Sequence, residues 1–506
     1  MPSCGTCNAN GLECEGYLLQ WPGLASRGKF VGKSVPVSAT SEKRRRSRRV
    51  AALLDKTSHP RIAIGDRDNT NNAEAEENMP CNVPVPTKPE VESNSTPEPT
   101  ASLLEDDFPL DATITDLNID PDLLLGTVPL DLGSIESEMT LGPNLDVLNI
   151  PGELKFILQY HICEVIPKLC VDNFCLQNPY REYIFPLAIE IPSLLYACAA
   201  LAACHYNIRL GTSQFQSEFL RFKGKAMKRL QEDLYSQTRA THPGTLATIL
   251  MLCLSDICQG GISDFESHFL GAKKLIEMRS ETTPRCFVEQ YLMWLDIMAA
   301  ASHSRKPVFS SHDIQTTLGS DDFGWSFDVF PCPSDQFQII CEIISLYKNQ
   351  PEPECPSLEV LDQVQQIKQK LLQGPIHSNR DQNWLHLTEA YRFSIILYLL
   401  RLFGCEIDEY EVDWLVSSVI YHARSTPPAS GYSDQLLWPL FHAGLEITDA
   451  KRQDWMRERA QCMQWSGGFG NVKIALDILE HVWRGDRPSS YLNLMLGWGN
   501  GNVLLI

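Results

Sequence analysis

Helical periodicity is the feature that most limits how this chain can fold. From Leu154 onward, apolar residues recur every three or four positions, in stretches separated by short breaks. This is the spacing that places side chains on one face of an α-helix. No stretch shows the sustained two-residue alternation that a half-buried strand requires. The sequence therefore predicts one all-α domain over residues 154–506.

The apolar stripes also predict where individual helices begin and end. One stripe runs from Leu154 to Ile166 and is predicted to stop at Pro167, since proline lacks a backbone N–H. Another begins after Ser357, a favourable N-cap, and is predicted to end before Gly374-Pro375. Two further stripes occupy Phe215–Leu234 and Val472–Val482, the second of which ends near Gly485.

Two segments are apolar on nearly every face, Leu194–Cys204 and Phe393–Phe403. Such segments predict helices buried inside a large bundle. The first is too short to span a bilayer, which needs about 20 residues. The glycine cluster Gly467–Gly470 follows no strand and is predicted to be a turn between helices. With no secretory signal at its start, the chain is expected to be intracellular, with its cysteines mostly as thiols.

Charge is segregated along the chain, so the formal net charge of −20 is misleading as an average. Residues 27–56 contain ten Lys or Arg and two acidic residues, whereas residues 71–153 contain eighteen Asp or Glu and one lysine. The whole stretch 27–153 is rich in Pro, Ser, Thr and Asn, a composition typical of disordered linkers. A basic segment followed by an acidic one predicts two different partners, of which one is a polyanion.

The acidic part of this linker contains apolar residues as well as acidic ones. Between Leu103 and Leu132, Leu, Ile and Phe are mixed with Asp and Glu. This composition is shared with amphipathic activation segments. The alternative is a solvated acidic spacer, and the sequence leaves both open.

A dense basic run lies in the first part of the linker. Such runs are typical of nuclear import signals or of contacts to a phosphate backbone. The alternative is a merely solvated run of charge. The basic residues are Lys43, Arg44, Arg45, Arg46, Arg48 and Arg49.

Three cysteines near the start, Cys4, Cys7 and Cys14, have the spacing C-x2-C-x6-C. Zinc prefers tetrahedral thiolate sites, and a C-x2-C pair lets one turn of chain present two sulfurs to one metal. The three thiols would supply three of the four ligands of one zinc ion. The alternative is a set of unligated thiols.

The string PSCGTCNANGLECEGYLLQW resembles the end of a fungal Zn2Cys6 cluster. The shared features, besides the cysteines, are Pro2, Gly11, Leu12, Gly16, Tyr17 and Trp21. In that family two zinc ions are bound, the first and fourth cysteines bridge them, and the first half of the cluster carries the basic residues that read DNA. Cys4 would be the fourth cysteine, so residues 1–26 resemble the second half only. We expect at most one weakly held zinc here, because only three thiolates are present. A gene model that starts too late or misses an upstream exon would explain the missing half, and the alternative is a truly truncated product.

The helical region resembles the second type of fungal-specific transcription factor domain. The resemblance covers most of residues 154–485 and implies a regulatory and interaction domain without enzymatic activity. It is carried by Asn178-Pro179-Tyr180, Leu194–His205, Phe265–Leu275, Leu437–Gly444 and Phe469–Val472.

Enzyme signatures are missing from the sequence. There is no G-x-S-x-G elbow, phosphate-binding G-x-x-x-x-G-K-[ST] loop or dinucleotide-binding G-x-G-x-x-G. Cys204 and His205 are adjacent, and neighbouring helical residues do not face each other as a nucleophile and a base must. The sequence therefore predicts a nuclear regulator of RNA polymerase II genes that contacts DNA and the transcription machinery, as a possible homodimer or with relatives, and no membrane. The alternative is a helical interaction or ligand-sensing protein that has lost autonomous DNA binding.

Overall fold

The computed structural model describes residues 145, 150–171, 177–279, 287–319, 324–350, 356–405, 408–485, 491–498 and 503–506. All of these residues belong to one compact unit. Within them the chain forms 17 α-helices. The helices are α1 (Gly152–Tyr160), α2 (Phe185–Glu190), α3 (Pro192–Arg209), α4 (Gln216–Leu234), α5 (Gln237–Ala240), α6 (Pro243–Gln259), α7 (Phe265–Glu277), α8 (Phe287–Ser302), α9 (Ser311–Leu318), α10 (Ser334–Lys348), α11 (Leu358–Leu372), α12 (Gln382–Leu402), α13 (Glu409–Ser425), α14 (Leu437–Gly444), α15 (Ala450–Gly467), α16 (Asn471–Trp483) and α17 (Tyr491–Leu496).

The all-α prediction is confirmed. The described residues contain no strand, and their only extended pairing is one isolated antiparallel bridge between Ile262 and Val503. Burial of helix faces, rather than sheet formation, therefore supplies the core.

The centre of the bundle consists of helices that are buried on nearly every face: α3, α6, α8, α12 and α14. Every residue of α8 and of α14 is buried. The predicted buried segments Leu194–Cys204 and Phe393–Phe403 lie in α3 and at the C-terminal part of α12, which confirms both. A helix without a polar face is stable in water only when neighbours surround it, and the amphipathic helices provide that cover.

The predicted stripes form the inner faces of those amphipathic helices. In α4, Phe219 and Leu230 are buried with the stripe residues between them. The Ser357 hydroxyl caps α11 by accepting the Val360 N–H at 3.4 Å. Helix α16 ends at Trp483, two residues before Gly485, as the sequence predicted.

The first stripe departs from the prediction. Helix α1 ends at Tyr160, and the chain continues as a wider π-turn over His161–Val165 and a 3₁₀-turn over Ile166–Lys168. In a continued α-helix, the Pro167 ring would clash with the carbonyl of residue 163. The change of helical pitch ends the α-helix before that point and places Lys168 at the end of the 3₁₀-turn.

Candidate ligand cavity

A cavity of about 50 Å³ lies where α6, α8, α15 and α16 meet two 3₁₀-turns, Ile166–Lys168 and Ser433–Leu436. It has room for roughly three to five water molecules. Its walls are apolar and aromatic, and its polar groups come from the turns and from the start of α16. The walls include Leu254, Ile257, Tyr291, Trp294, Met463, Phe469 and Val472, and the polar lining residues include Lys168, Asp434, Gln435 and Asn471.

An ion pair borders this cavity. The Lys168 ammonium lies 3.3 Å from Asp434 Oδ2, and their side chains are 23% and 9% exposed. The other carboxylate oxygen, Oδ1, accepts a hydrogen bond of 2.6 Å from the Ser466 hydroxyl. Each charged residue sits in or beside one of the two 3₁₀-turns, so these turns determine where the charges meet.

Asn471, the first residue of α16, supplies an amide. Its side chain is almost fully buried, and Nδ2 donates to the Ile506 carbonyl at 2.9 Å. Its Oδ1 has no hydrogen-bond partner within the described part of the chain. A buried amide oxygen is expected to bind a donor, whether water or ligand, and Asn471 is one of the residues that line the cavity.

The glycine cluster forms the turn between α15 and α16, which confirms the prediction made for it. Gly468 has the left-handed φ of +69°, and a Cβ there would come within 2.7 Å of His205 Nε2. The Gly470 N–H donates to the Cys258 carbonyl at 2.8 Å. Glycine is therefore required at Gly468 for both its conformation and its close approach to α3.

His205 holds this turn from the opposite side. Its Nε2 lies 2.8 Å from the Gly467 carbonyl, and its Nδ1 lies 2.9 Å from the Tyr160 hydroxyl. Since a carbonyl can only accept, the proton must be on Nε2, and Nδ1 then accepts the Tyr160 proton. One neutral histidine thus connects α1, α3 and the wall of the cavity.

Burial keeps both His205 and Tyr160 uncharged. It lowers the pKa of His205 to about 3, with the Gly467 hydrogen bond opposing the shift. Burial also raises the pKa of Tyr160, so its hydroxyl stays protonated and available as a donor. Arg209 contacts both Tyr160 and Glu164, which places its charge at the edge of the network.

Residues 503–506 pack against the turn at Gly261 and the start of α16. The Leu504 N–H donates to the Gly261 carbonyl at 2.8 Å, and Val503, Leu504 and Leu505 are buried. A Cβ at Gly261, whose φ is +74°, would come within 2.5 Å of the Leu504 carbonyl oxygen. This segment ends at Ile506, which lines the cavity and is held by Asn471.

The site residues predicted from the sequence lie elsewhere. Cys4, Cys7, Cys14 and the basic run Lys43–Arg49 are outside the described residues, so their roles stay predictions. Among the residues that are described, no group of three or more His, Cys, Asp or Glu could hold a metal ion. The described cysteines are all free thiols.

Sequence reasoning missed the cavity and the role of His205. One signal was available for His205. A lone histidine directly after an apolar helical segment must find a buried hydrogen-bond partner, or it makes burial of that helix unfavourable. No comparable signal existed for Lys168, Asp434 and Asn471. They are far apart in the sequence and meet only because of how the helices pack.

The structure defines an all-α domain with a small internal cavity. None of the helices in the described ranges is long and apolar enough to cross a membrane. The family model of the fungal specific transcription factor domain matches residues 156–499, about two thirds of the chain. The chain belongs to this family and is a fungal transcription regulator, a class distinct from enzymes. No curated protein and no solved structure matches it.

Proposed function

We propose that this chain is a nuclear regulator of RNA polymerase II transcription of the zinc-cluster DNA-binding type. The observation that carries the proposal is the family match over residues 156–499, downstream of the cysteine motif Cys4-x2-Cys7-x6-Cys14. A regulatory domain of this family needs a device that brings it to DNA. The cysteine motif and the basic run are the parts of this sequence suited to that task.

The donor set fits zinc in part. Three thiolates at this spacing supply three of the four ligands of a tetrahedral site. A complete cluster would hold two ions and fix the short chain segments that present cations to base edges in the major groove. No Lys or Arg lies between Cys4 and Cys14, so base-reading cations would have to come from a first half-cluster.

Two segments of the linker are suited to the other proposed partners, which are an import receptor, DNA phosphates and the transcription machinery. The basic run Lys43–Arg49 suits an import receptor or DNA phosphates. The segment Leu103–Leu132 suits an acidic contact to the transcription machinery. Homodimers or pairs with relatives would supply a second DNA-binding unit, as two half-sites require.

The second candidate is a ligand-sensing helical protein without autonomous DNA binding. The cavity favours it, because a buried amide oxygen and an ion pair surround space that a small molecule could fill. The two candidates differ in whether the chain acts on DNA by itself.

The test compares two purified proteins. One is the 506-residue chain, and the other carries an added C-x2-C-x6-C half-cluster with Lys and Arg between its second and third cysteines. We expect the chain alone to bind DNA without sequence preference, with a Kd on the order of 10⁻⁴ to 10⁻⁶ M at physiological salt. The extended protein should hold two zinc ions and select a defined site from random DNA.

The matched control is Cys4→Ser in the extended protein, which should lose zinc and site selection together. Nanomolar binding of a defined site by the 506-residue chain alone would contradict the half-cluster interpretation. An extended protein that binds two zinc ions and still selects no site would favour the ligand-sensing candidate.

A further inference from the structure

We propose that the central cavity binds a small organic cation with N–H donors, of the amidinium or primary ammonium class. The inference deepens the proposed function, because such a compound would be the effector of the regulator. It depends on that function only for its biological meaning. Binding to the cavity can be measured without DNA and without zinc.

The first argument is a buried acceptor that lacks a donor. Asn471 Oδ1 is buried and has no hydrogen-bond partner in the described ranges, while the Nδ2 of the same amide is occupied by Ile506. Asp434 Oδ2 is also buried; the Lys168 ammonium lies 3.3 Å from it, and the charge of the buried Arg459 also acts on this carboxylate. The amide oxygen requires a donor, and a ligand carrying several N–H groups would supply one there and a second to Asp434 in place of the Lys168 ammonium.

The second argument is the character of the walls. Tyr291, Trp294 and Phe469 line the same space. The Tyr291 hydroxyl donates to the Leu169 carbonyl at 3.3 Å, and so this polar group is already satisfied. Aromatic faces attract cations, most strongly when the cation is removed from water.

The third argument concerns Lys168, whose side chain is partly exposed. A long lysine side chain can move its ammonium toward water while its stem stays packed. A bound cation would take its place beside Asp434. Lys168 therefore competes with the ligand for Asp434. Removal of this lysine should strengthen ligand binding.

The fourth argument is size. A cavity of about 50 Å³ accepts only a few non-hydrogen atoms without rearrangement. Acetamidinium, acetamide and acetate form a matched series of probes, since each has four non-hydrogen atoms and the same shape. They differ in the number of N–H donors and in charge. A four-atom ligand can reach a Kd of roughly 40 µM at best, and millimolar binding is expected.

The experiment measures binding of each probe to the full 506-residue chain from the saturable broadening of the probe's methyl NMR signal, at fixed ionic strength. Acetamidinium should bind, acetamide should bind about tenfold more weakly, and acetate should show no saturable binding. Asp434→Asn should weaken acetamidinium binding about tenfold and leave acetamide nearly unchanged. Lys168→Met should strengthen acetamidinium binding about threefold or more.

Circular dichroism establishes that each variant is folded, and Lys168→Met keeps the test valid if Asp434→Asn unfolds. Three results would overturn the proposal: acetate binding as tight as acetamidinium binding, weaker acetamidinium binding in Lys168→Met, or no saturable binding of any probe. The last result would mean that the cavity holds only water. None of them bears on zinc or DNA binding, so the regulator assignment would stand or fall separately.

Discussion

Replacement of His205 by phenylalanine tests how the cavity wall is held. The substitution keeps an aromatic ring of similar shape and removes two buried hydrogen bonds, to the Gly467 carbonyl and to the Tyr160 hydroxyl. Both partners remain buried beside the new ring. The expected result is a loss of folding stability that comes from unsatisfied polar groups rather than from a void.

The magnitude follows from what each partner loses. A buried carbonyl left without a donor costs about 1–3 kcal/mol. The Tyr160 hydroxyl also contacts Arg209, so its loss is smaller, about 1 kcal/mol. The sum is about 2–4 kcal/mol. The free energy of unfolding of a native domain is roughly 5–15 kcal/mol, so this loss is a large part of it.

The assay is urea unfolding of the full chain, followed by circular dichroism. His205→Gln is the matched control, because its Nε2 can still donate to Gly467, and it should recover about half of the loss. Tyr160→Phe, alone and combined with His205→Phe, completes a double-mutant cycle that isolates the Tyr160–His205 bond. The reasoning fails if His205→Gln is as unstable as His205→Phe, or if His205→Phe lies within about 0.5 kcal/mol of the wild type.

Three further predictions concern pH and the linker. Burial depresses the folded-state pKa of His205 and His161 to about 3 and that of His442 well below its ordinary value. Stability should therefore be constant above about pH 6.5 and fall below it by about 1.4 kcal/mol per histidine per pH unit, seen as a lower urea midpoint at pH 5.5 than at 7.5; equal midpoints would contradict the buried neutral state. Replacing Lys43, Arg44, Arg45, Arg46, Arg48 and Arg49 by Ala should move a fluorescent fusion out of the nucleus, and unchanged nuclear enrichment would place the import signal elsewhere. The segment Leu103–Leu132, fused to an unrelated DNA-binding domain, should activate a reporter; an expressed fusion with no signal would leave the spacer interpretation.

The sequence predicted the helices well, because periodicity is a local property. The stripe that contains Phe219 and Leu230, the Ser357 cap and the turn at Gly468 were all recognisable within a few residues of chain. The change of pitch after Tyr160 was not. It depends on the choice between two ways of accommodating Pro167, and periodicity does not distinguish them.

The cavity could not be predicted for a different reason. Asp434 and Lys168 lie 3.3 Å apart in space but on turns separated by more than half of the described chain. Asn471 looked like an ordinary helix start, and its unpaired oxygen becomes informative only once Ile506 is seen to occupy the other end of the amide. Long-range contacts of this kind leave no periodic trace in one sequence.

The packing of residues 503–506 against Gly261 and Asn471 has a consequence for folding during synthesis on the ribosome. The hydrogen bond between Leu504 and Gly261, and that between Ile506 and Asn471, must wait until this short segment has left the exit tunnel. Domains of this size often pass through incompletely packed intermediates, whose exposed apolar surface invites aggregation. Until residues 503–506 arrive, the α6–α7 turn at Gly261 and the start of α16 lack their cover. This flank is therefore expected to complete its packing later than the helices that precede it in the chain.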